Sequence, residues 1–377
     1  MLDWRAIAAL VSLCLPAWSG QVTTAPSAAL AERYAPYVES AIWAQSVTVP
    51  AELPRSWRTA AAIRAARSAT ALPLAGLRLV LDPGHIGGAW AAEEGRQFRI
   101  AANDFWVREG ELVLEVAQRA QTRLQELGAT VHLVRTTTEP LNPRPPIDYL
   151  PGVVSQLGGP SDTSQAGLAD YAAEIRRRAM HQAIVSDEIA LRAQRINEVL
   201  QPDAVLSLHI NAAPWPQAKA GQLQLVDSNH LHVLAFGCMS AAELSVPEQQ
   251  QALAIKLANG SAAAEAALGR AMARALQQHT GLPAASYQTR NAIVDSAEPY
   301  LWYRNLKMLR AVRCPIVMLE PYVANSKQVY PRLQAALQAR AQGQDLDAAD
   351  LLLEYADAVV AGVLAAYGPQ DKTGRSQ

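Results

Sequence analysis

Short apolar runs that stop abruptly at turn-forming residues recur along this chain. The first, 77–81, predicts a buried strand that ends at Asp82-Pro83-Gly84, where proline and glycine stop pairing and turn the backbone. A helical repeat follows over 109–127, with Leu112, Val116, Ala120 and Leu124 on one face and Gly128 as its stop. The next run, 130–135, completes a β-α-β crossover and so predicts a parallel sheet. Residues 204–209 read as a third strand, 221–226 and 232–236 as a fourth and fifth, and 315–320 as the last. Helical spacing is also seen over 168–200 (in two pieces), 247–258, 262–279, 327–341 and 348–367. The fold class that results is α/β: a twisted, mostly parallel sheet flanked by helices.

Around this frame lie less regular stretches. Residues 1–25 predict an export signal, with Arg5 ahead of a short apolar run and small residues after it. That run is too short to span a bilayer comfortably, and no other stretch is apolar enough to do so. Residues 26–75 predict a helical N-terminal arm, built from helices at 28–45 and 57–70. The main domain then covers 76–370, with long inserted loops near 139–167, rich in proline, glycine and serine, and 213–291. Excess loop length predicts a gated site, with one insertion lying over it.

Composition narrows the function by exclusion. Of 377 residues half are apolar, and 33 basic residues against 34 acidic leave a formal net charge of −1. That balance gives no electrostatic footprint for nucleic acid or an anionic membrane. If the signal is removed, Cys238 and Cys314 remain; two buried thiols are the simpler reading, and one disulfide the alternative.

The candidate chemistry sits where strands stop. His85, His209 and Glu320 each follow an apolar run, and in a parallel sheet such ends share one edge. Glu109 begins the first crossover helix near that edge. Two imidazoles and a carboxylate make an open zinc site with a position left for water, and a further carboxylate beside it can move that water's proton. Each residue also has a plainer reading. A lone strand-end histidine is usually structural, and Glu320 could be paired with Arg304 or Arg313. Asp82 could orient a ligand histidine or cap the turn. Asn211 could hold the turn after His209 or touch substrate. A second metal site at His230 and His232 is a minor alternative, and Tyr300-Leu-Trp302-Tyr303 reads more readily as core than as a sugar platform.

In order and context these motifs resemble those of the zinc-dependent N-acetylmuramoyl-L-alanine amidases. Asp82-Pro-Gly-His-Ile-Gly-Gly88 is similar to that family's Asp-Pro-Gly-His-Gly-Gly, and Arg108-Glu-Gly-Glu-Leu-Val-Leu114 to its Arg-Glu-Lys-Asn-Val-Val-Leu. Ser207-Leu-His-Ile-Asn-Ala212 resembles Ser-Ile-His-Ala-Asn-Ala, and Pro315-Ile-Val-Met-Leu-Glu320 resembles the final Pro-Ala-Val-Leu-Val-Glu strand. Arg195 and Asn197 fit an Arg-x-x-x-Asn neighbourhood loosely. The likeness spans roughly residues 76–337.

The resemblance implies one zinc ion held by His85, Glu109 and His209, with Glu320 as general base and then general acid. It implies hydrolysis of the amide joining muramic acid to the stem peptide of peptidoglycan or muropeptides. The location implied is the bacterial envelope, periplasmic or secreted, with no stable membrane insertion and a protein activator left as an open option. Two departures bear on it. Ile86 is inserted before the Gly-Gly pair, so the turn must be shaped differently, and Glu111 rivals Glu109 as third ligand. At i+2 on a helix the two face apart, so only one can point at the metal, and Glu109 is preferred. The alternatives are a zinc peptidase or deacylase on another amide, and a non-catalytic amidase-like regulator.

Overall fold

Both faces of the main sheet are apolar, which requires helices on each side. The computed structural model describes residues 33–34, 55–216, 223–288, 290–344 and 350–370. Its strands are β1 (Arg78–Pro83), β2 (Gln97–Phe98), β3 (Val107–Arg108), β4 (Thr130–Leu133) and β5 (Ala204–Leu208), followed by β6 (His232–Phe236), β7 (Ile293–Asp295), β8 (Glu298–Arg304) and β9 (Ile316–Glu320). Seven form one sheet in the order β4-β1-β5-β9-β6-β8-β7, and β2 pairs with β3 in a separate hairpin. Pairing is parallel from β4 through β9, antiparallel between β9 and β6, parallel between β6 and β8, and antiparallel between β8 and β7. β1, β5 and β9 therefore deliver their C-terminal ends to one rim, and the start of β6 returns beside it.

Alternate side chains of β1 show why both faces are filled. Leu79 and Leu81 join the larger core with Val113, Val116, Met272 and Val359, whereas Val80 joins the other face with Ile196, Leu253 and Leu309. On the first face lie helices α1 (Glu109–Glu126), α4 (Ser261–Thr280), α5 (Val329–Ala341) and α6 (Leu351–Tyr367). Along α1, Leu112, Val113, Val116, Ala117, Ala120 and Leu124 are buried, a stripe of helical period turned to the sheet. Between β4 and β5 run α2 (Gln165–His181) and α3 (Glu188–Gln194).

Several elements differ from the sequence expectation. Residues 139–167 are not one loop, because Pro146–Tyr149 forms a 3₁₀ turn and Leu150–Leu157 a helix. Tyr149 and Val153 bury their side chains there with Ile86, which supplies the apolar anchor that a free loop lacks. Residues 168–200 form a nearly continuous rod in which wide π turns, Gln182–Asp187 and Arg195–Leu200, bracket α3. The described part of 221–226 is no strand, its contact being a single bridge from Val226 to Ser326. β7 and β8 were not expected, since Glu298-Pro-Tyr-Leu-Trp-Tyr-Arg304 interleaves its apolar residues with charge and proline. The 57–70 helix is confined to Ala60–Ala65, with Thr59 capping it. Of the 28–45 helix only Arg33 and Tyr34 are described, and residues 1–25 lie outside the described residues. Among the described residues no helix is long and apolar enough to cross a membrane.

Cys238 and Cys314 are free and buried, so no disulfide joins them. Burial pushes their thiols up to about 11 and about 12. A buried ionic cluster ties the second face together. Glu265 accepts from Arg33 at 2.6 Å and from Lys256 at 2.5 Å, with Glu265 and Lys256 fully buried. Glu265→Gln keeps the shape but removes the charge that compensates two buried cations. Urea unfolding of this variant is expected to show a loss of about 3–5 kcal/mol; a loss below ~1 kcal/mol would mean that the cluster contributes little.

Candidate functional site

Three strand ends are locked together before any side chain acts. Gly84 N–H donates to Leu208 C=O and His209 N–H to Leu319 C=O, each at 2.9 Å. A Cβ on Gly84 would lie 2.3–2.6 Å from three atoms of the His209 ring, so only glycine lets that imidazole cross the turn. His85 then takes a left-handed conformation, φ 54°, which turns its side chain off the line of β1. Two buried arginines hold this backbone. Arg135 donates to the carbonyls of Pro83, Gly84, Thr137 and Gly110, and Arg192 to those of Pro83 and His85. Gly110 packs its α carbon against the Ile86 backbone, where a Cβ would meet the carbonyl oxygen at 2.2 Å. That contact seats the first turn of α1, and with it Glu109, against the His85 turn.

His85, Glu109 and His209 converge. His85 Nε2 lies 3.4 Å from Glu109 Oε2, and His209 Nδ1 lies 3.1 Å from Glu109 Oε1. The two imidazoles stand nearly perpendicular with ring centres 5.0 Å apart. One donor atom from each residue falls within 4.8 Å of the other two, a set that could hold a metal ion. The 3.4 Å separation matches the edge of a tetrahedron with bonds of about 2.0–2.1 Å, roughly 3.3 Å. Burial works against ionising Glu109, but His85, His209 and Arg96 outweigh it and hold the carboxyl at about 2. Burial disfavours the charged form of His209 as well, but its bond to Glu109 and the charge of Glu320 carry its pKa above the ordinary value. Behind His85, Glu94 places Oε1 3.3 Å from Nδ1 and accepts the Ile86 N–H at 2.6 Å. A carboxylate in this position fixes the ring and leaves Nε2 toward Glu109.

Glu320 ends β9 beside this cluster, and its side chain makes no hydrogen bond or ion pair among the described residues. Arg304 donates instead to the Tyr287 hydroxyl, and Arg313 uses its backbone N–H toward Asn197. Burial pushes the Glu320 carboxyl up; nearby His209 opposes this and Glu109 adds to it, for a value of about 7. One rim thus carries a carboxylate held ionised and a carboxyl poised near neutrality.

The remaining candidates take other places. Asp82 accepts from Ser207 Oγ at 2.8 Å and faces Arg192 at 3.3 Å, bracing the turn from below. Arg195 is exposed, and the arginine that reaches the site from this rod is Arg192, one turn earlier. Asn211 caps its own turn through Ala212 N–H and reaches His230 Nε2 at 3.2 Å. Glu111 accepts from Gly88 N–H and Arg108, away from the cluster. His232 is buried, its pKa pushed down to about 3 by burial and by His230 and Arg304, and its Nε2 lies 3.1 Å from the Tyr287 hydroxyl, within hydrogen-bonding distance. Tyr303 lies in the core and Trp302 packs on Tyr287.

A profile of one family, described as N-acetylmuramoyl-L-alanine amidase, matches residues 79–344 and takes in every residue of this rim. The chain belongs to that family. No curated protein matches the chain by sequence. Among solved structures it is similar to the apo form of the amidase Ami1 from Mycobacterium abscessus, at 18% identity and TM-score 0.43, covering 78% of this chain and 99% of that one. It is also similar to the CwlD amidase of Clostridioides difficile in complex with the GerS lipoprotein, at 11% identity and TM-score 0.40, covering 76% and 96%. A third is AmiC2 of Nostoc punctiforme, at 13% identity and TM-score 0.36, covering 77% and 97%.

Sequence reading missed three residues of this candidate site: Glu94, Arg135 and Arg192. Glu94 sits in a polar loop with no periodic signal, and the arginines act through backbone carbonyls that no side-chain motif reveals. Removing the support behind a ligand imidazole lowers metal affinity about 10–100-fold. That loss is expected for Glu94→Ala in competition with a chelator of known affinity; wild-type affinity would show that Glu94 only braces the loop.

Proposed function

We propose that this amidase hydrolyses the amide between N-acetylmuramic acid and L-alanine in peptidoglycan or its muropeptides, using one zinc ion held by His85, Glu109 and His209. What carries this reading is the convergence of two imidazoles and an ionised carboxylate beside a second, unpaired carboxyl. The donor set suits zinc: nitrogen and oxygen ligands from three residues, the number that catalytic zinc sites take from the protein. Bound there, the ion supplies Lewis-acid polarisation of the scissile carbonyl.

The protein's own groups do the rest. Glu94 keeps the His85 ring in one orientation, and the Gly84 contact keeps His209 beside it. Glu320 accepts the proton of the attacking water and gives it back to the departing alanine nitrogen. A carboxyl whose burial raises its pKa to about 7 is suited to both transfers. The substrate lies outside the cytoplasm, which agrees with an export signal over residues 1–25.

Glu320→Gln is expected to retain zinc at one ion per chain while kcat falls about 10²–10⁴-fold. Zinc content and release of peptides with a free N-terminal alanine, followed by mass spectrometry, measure the two separately. Turnover at the wild-type rate would remove Glu320 from the chemistry. A product cleaved at any other amide would move the enzyme to a different substrate class.

A further inference from the structure

Large apolar side chains that stay exposed cluster beside this rim. Trp106 and Trp215 are 38% and 37% exposed, with Phe105 at 41% beside Trp106. Both tryptophans belong to segments that carry a metal-ligand candidate. The hairpin of β2 and β3 runs directly into Glu109, whose N–H donates to Arg96 C=O at 3.2 Å. Trp215 lies on the segment leaving His209, which is pinned where Asn325 exchanges two hydrogen bonds of 2.9 Å with the Ala213 backbone.

The rings are built in tiers. Phe98 meets Trp215 edge to face at 5.1 Å and stacks on Tyr330 at 5.7 Å. The Tyr330 hydroxyl accepts from Ile100 N–H at 2.9 Å and donates to Asp104 at 2.7 Å, so α5 fixes the lower tier. On the hairpin, the Arg99 guanidinium lies 4.6 Å from the centre of the Trp106 ring. These are rigid aromatic faces with charged groups at their margins. A ligand that suits them is itself flat and amphipathic, with an apolar face and a polar edge.

We propose that Trp215 and Trp106 stack against N-acetylhexosamine rings of the substrate glycan, with Phe98 and Tyr330 as the support of Trp215. This rests on the amidase reading above, because the acyl half of that amide belongs to an N-acetylmuramoyl sugar. That sugar must lie next to the metal ligands, and its neighbours along the glycan must cross the adjoining rim. Pyranose rings present axial C–H groups to an aromatic face and hydroxyls to the surrounding polar groups. Tyr300-Leu-Trp302-Tyr303, the sugar platform considered from sequence, lies within β8 and is not this surface.

The test uses tri-N-acetylchitotriose, which has the sugar rings and no peptide amide, titrated calorimetrically into the full chain with and without EDTA. Wild type is expected to bind equally in both conditions. Trp215→Ala is expected to bind about tenfold more weakly, and Trp106→Ala to lose severalfold, with both variants keeping a cooperative thermal transition. Trp215→Phe should recover most of the loss, and on glycan polymer the Trp215→Ala defect should appear in KM. Equal affinity of Trp215→Ala and wild type would overturn the proposal. So would Trp215-dependent binding of the free stem peptide, or self-association through this face, with no binding of the sugar. Sugar binding that depends on Trp215 in a chain that cleaves no muramoyl amide would uphold the platform and defeat the functional reading instead.

Discussion

The absence of a side chain on Gly84 is the constraint that the site depends on. Strands β1, β5 and β9 arrive at one rim in register, so their ends compete for the same small volume. The His209 ring occupies the space a Cβ on Gly84 would need, which lets β1 and β5 stay paired up to their last residues. Given that contact, the next residue must leave the strand line, and His85 does so in a left-handed conformation. Such a backbone costs about 1–3 kcal/mol for a non-glycine residue. Arg135 and Arg192 offset that cost by satisfying the carbonyls on either side of the turn. Burial pushes Arg135 down to about 10, with Arg192 adding to the fall, yet both guanidinia stay charged at neutral pH.

The same crowding separates the two carboxyl groups chemically. Glu109 and Glu320 are both desolvated, and desolvation alone would raise both pKa values. Glu109 has two imidazoles and the Ile210 N–H within hydrogen-bonding range, so its charge is compensated at close quarters. Glu320 has no such partner, and Glu109's own charge pushes it further toward the protonated form. One rim therefore produces an anion suited to holding a cation and a carboxyl suited to exchanging a proton. A dication among the imidazoles would draw Glu320 down from about 7, toward the ionised form needed to accept the first proton.

How much of this could be read from the chain depends on how local the signal is. The central strands were legible because each is an apolar run closed by a turn, and His85, His209 and Glu320 stand at those closures, whereas Glu109 was picked out as the start of α1 and by the resemblance of its motif. β7 and β8 were not, since both mix polar residues into the run. The supporting layer was hidden for a different reason. Arg192 acts 107 residues away through the His85 carbonyl, and Arg195, three positions later, is its equal in any local pattern. Only the rotation of the rod tells the two apart, and the wide turns on either side of α3 set that rotation.

The inserted Ile86 is best understood together with the insertion near 139–167 and the first part of the rod that follows it. Ile86 is fully buried, and the residues that bury it are Tyr149, Val153, Ala179, Ala183 and Ile184. A polar chain runs parallel to this contact. Glu188 accepts from Asn142 N–H at 2.8 Å and from Arg192 Nε at 2.7 Å, and Arg192 in turn holds the His85 carbonyl. The segment is thus joined to the His85 turn by an apolar anchor and, through the Asn142–Glu188 hydrogen bond, to the ion pair that holds that turn. Moving the segment away would expose Ile86 and take the Asn142 N–H from Glu188, whose pairing with Arg192 lies within α3. The segment packs beside the His85 turn through Ile86, and the excess length in the sequence builds a second small core here.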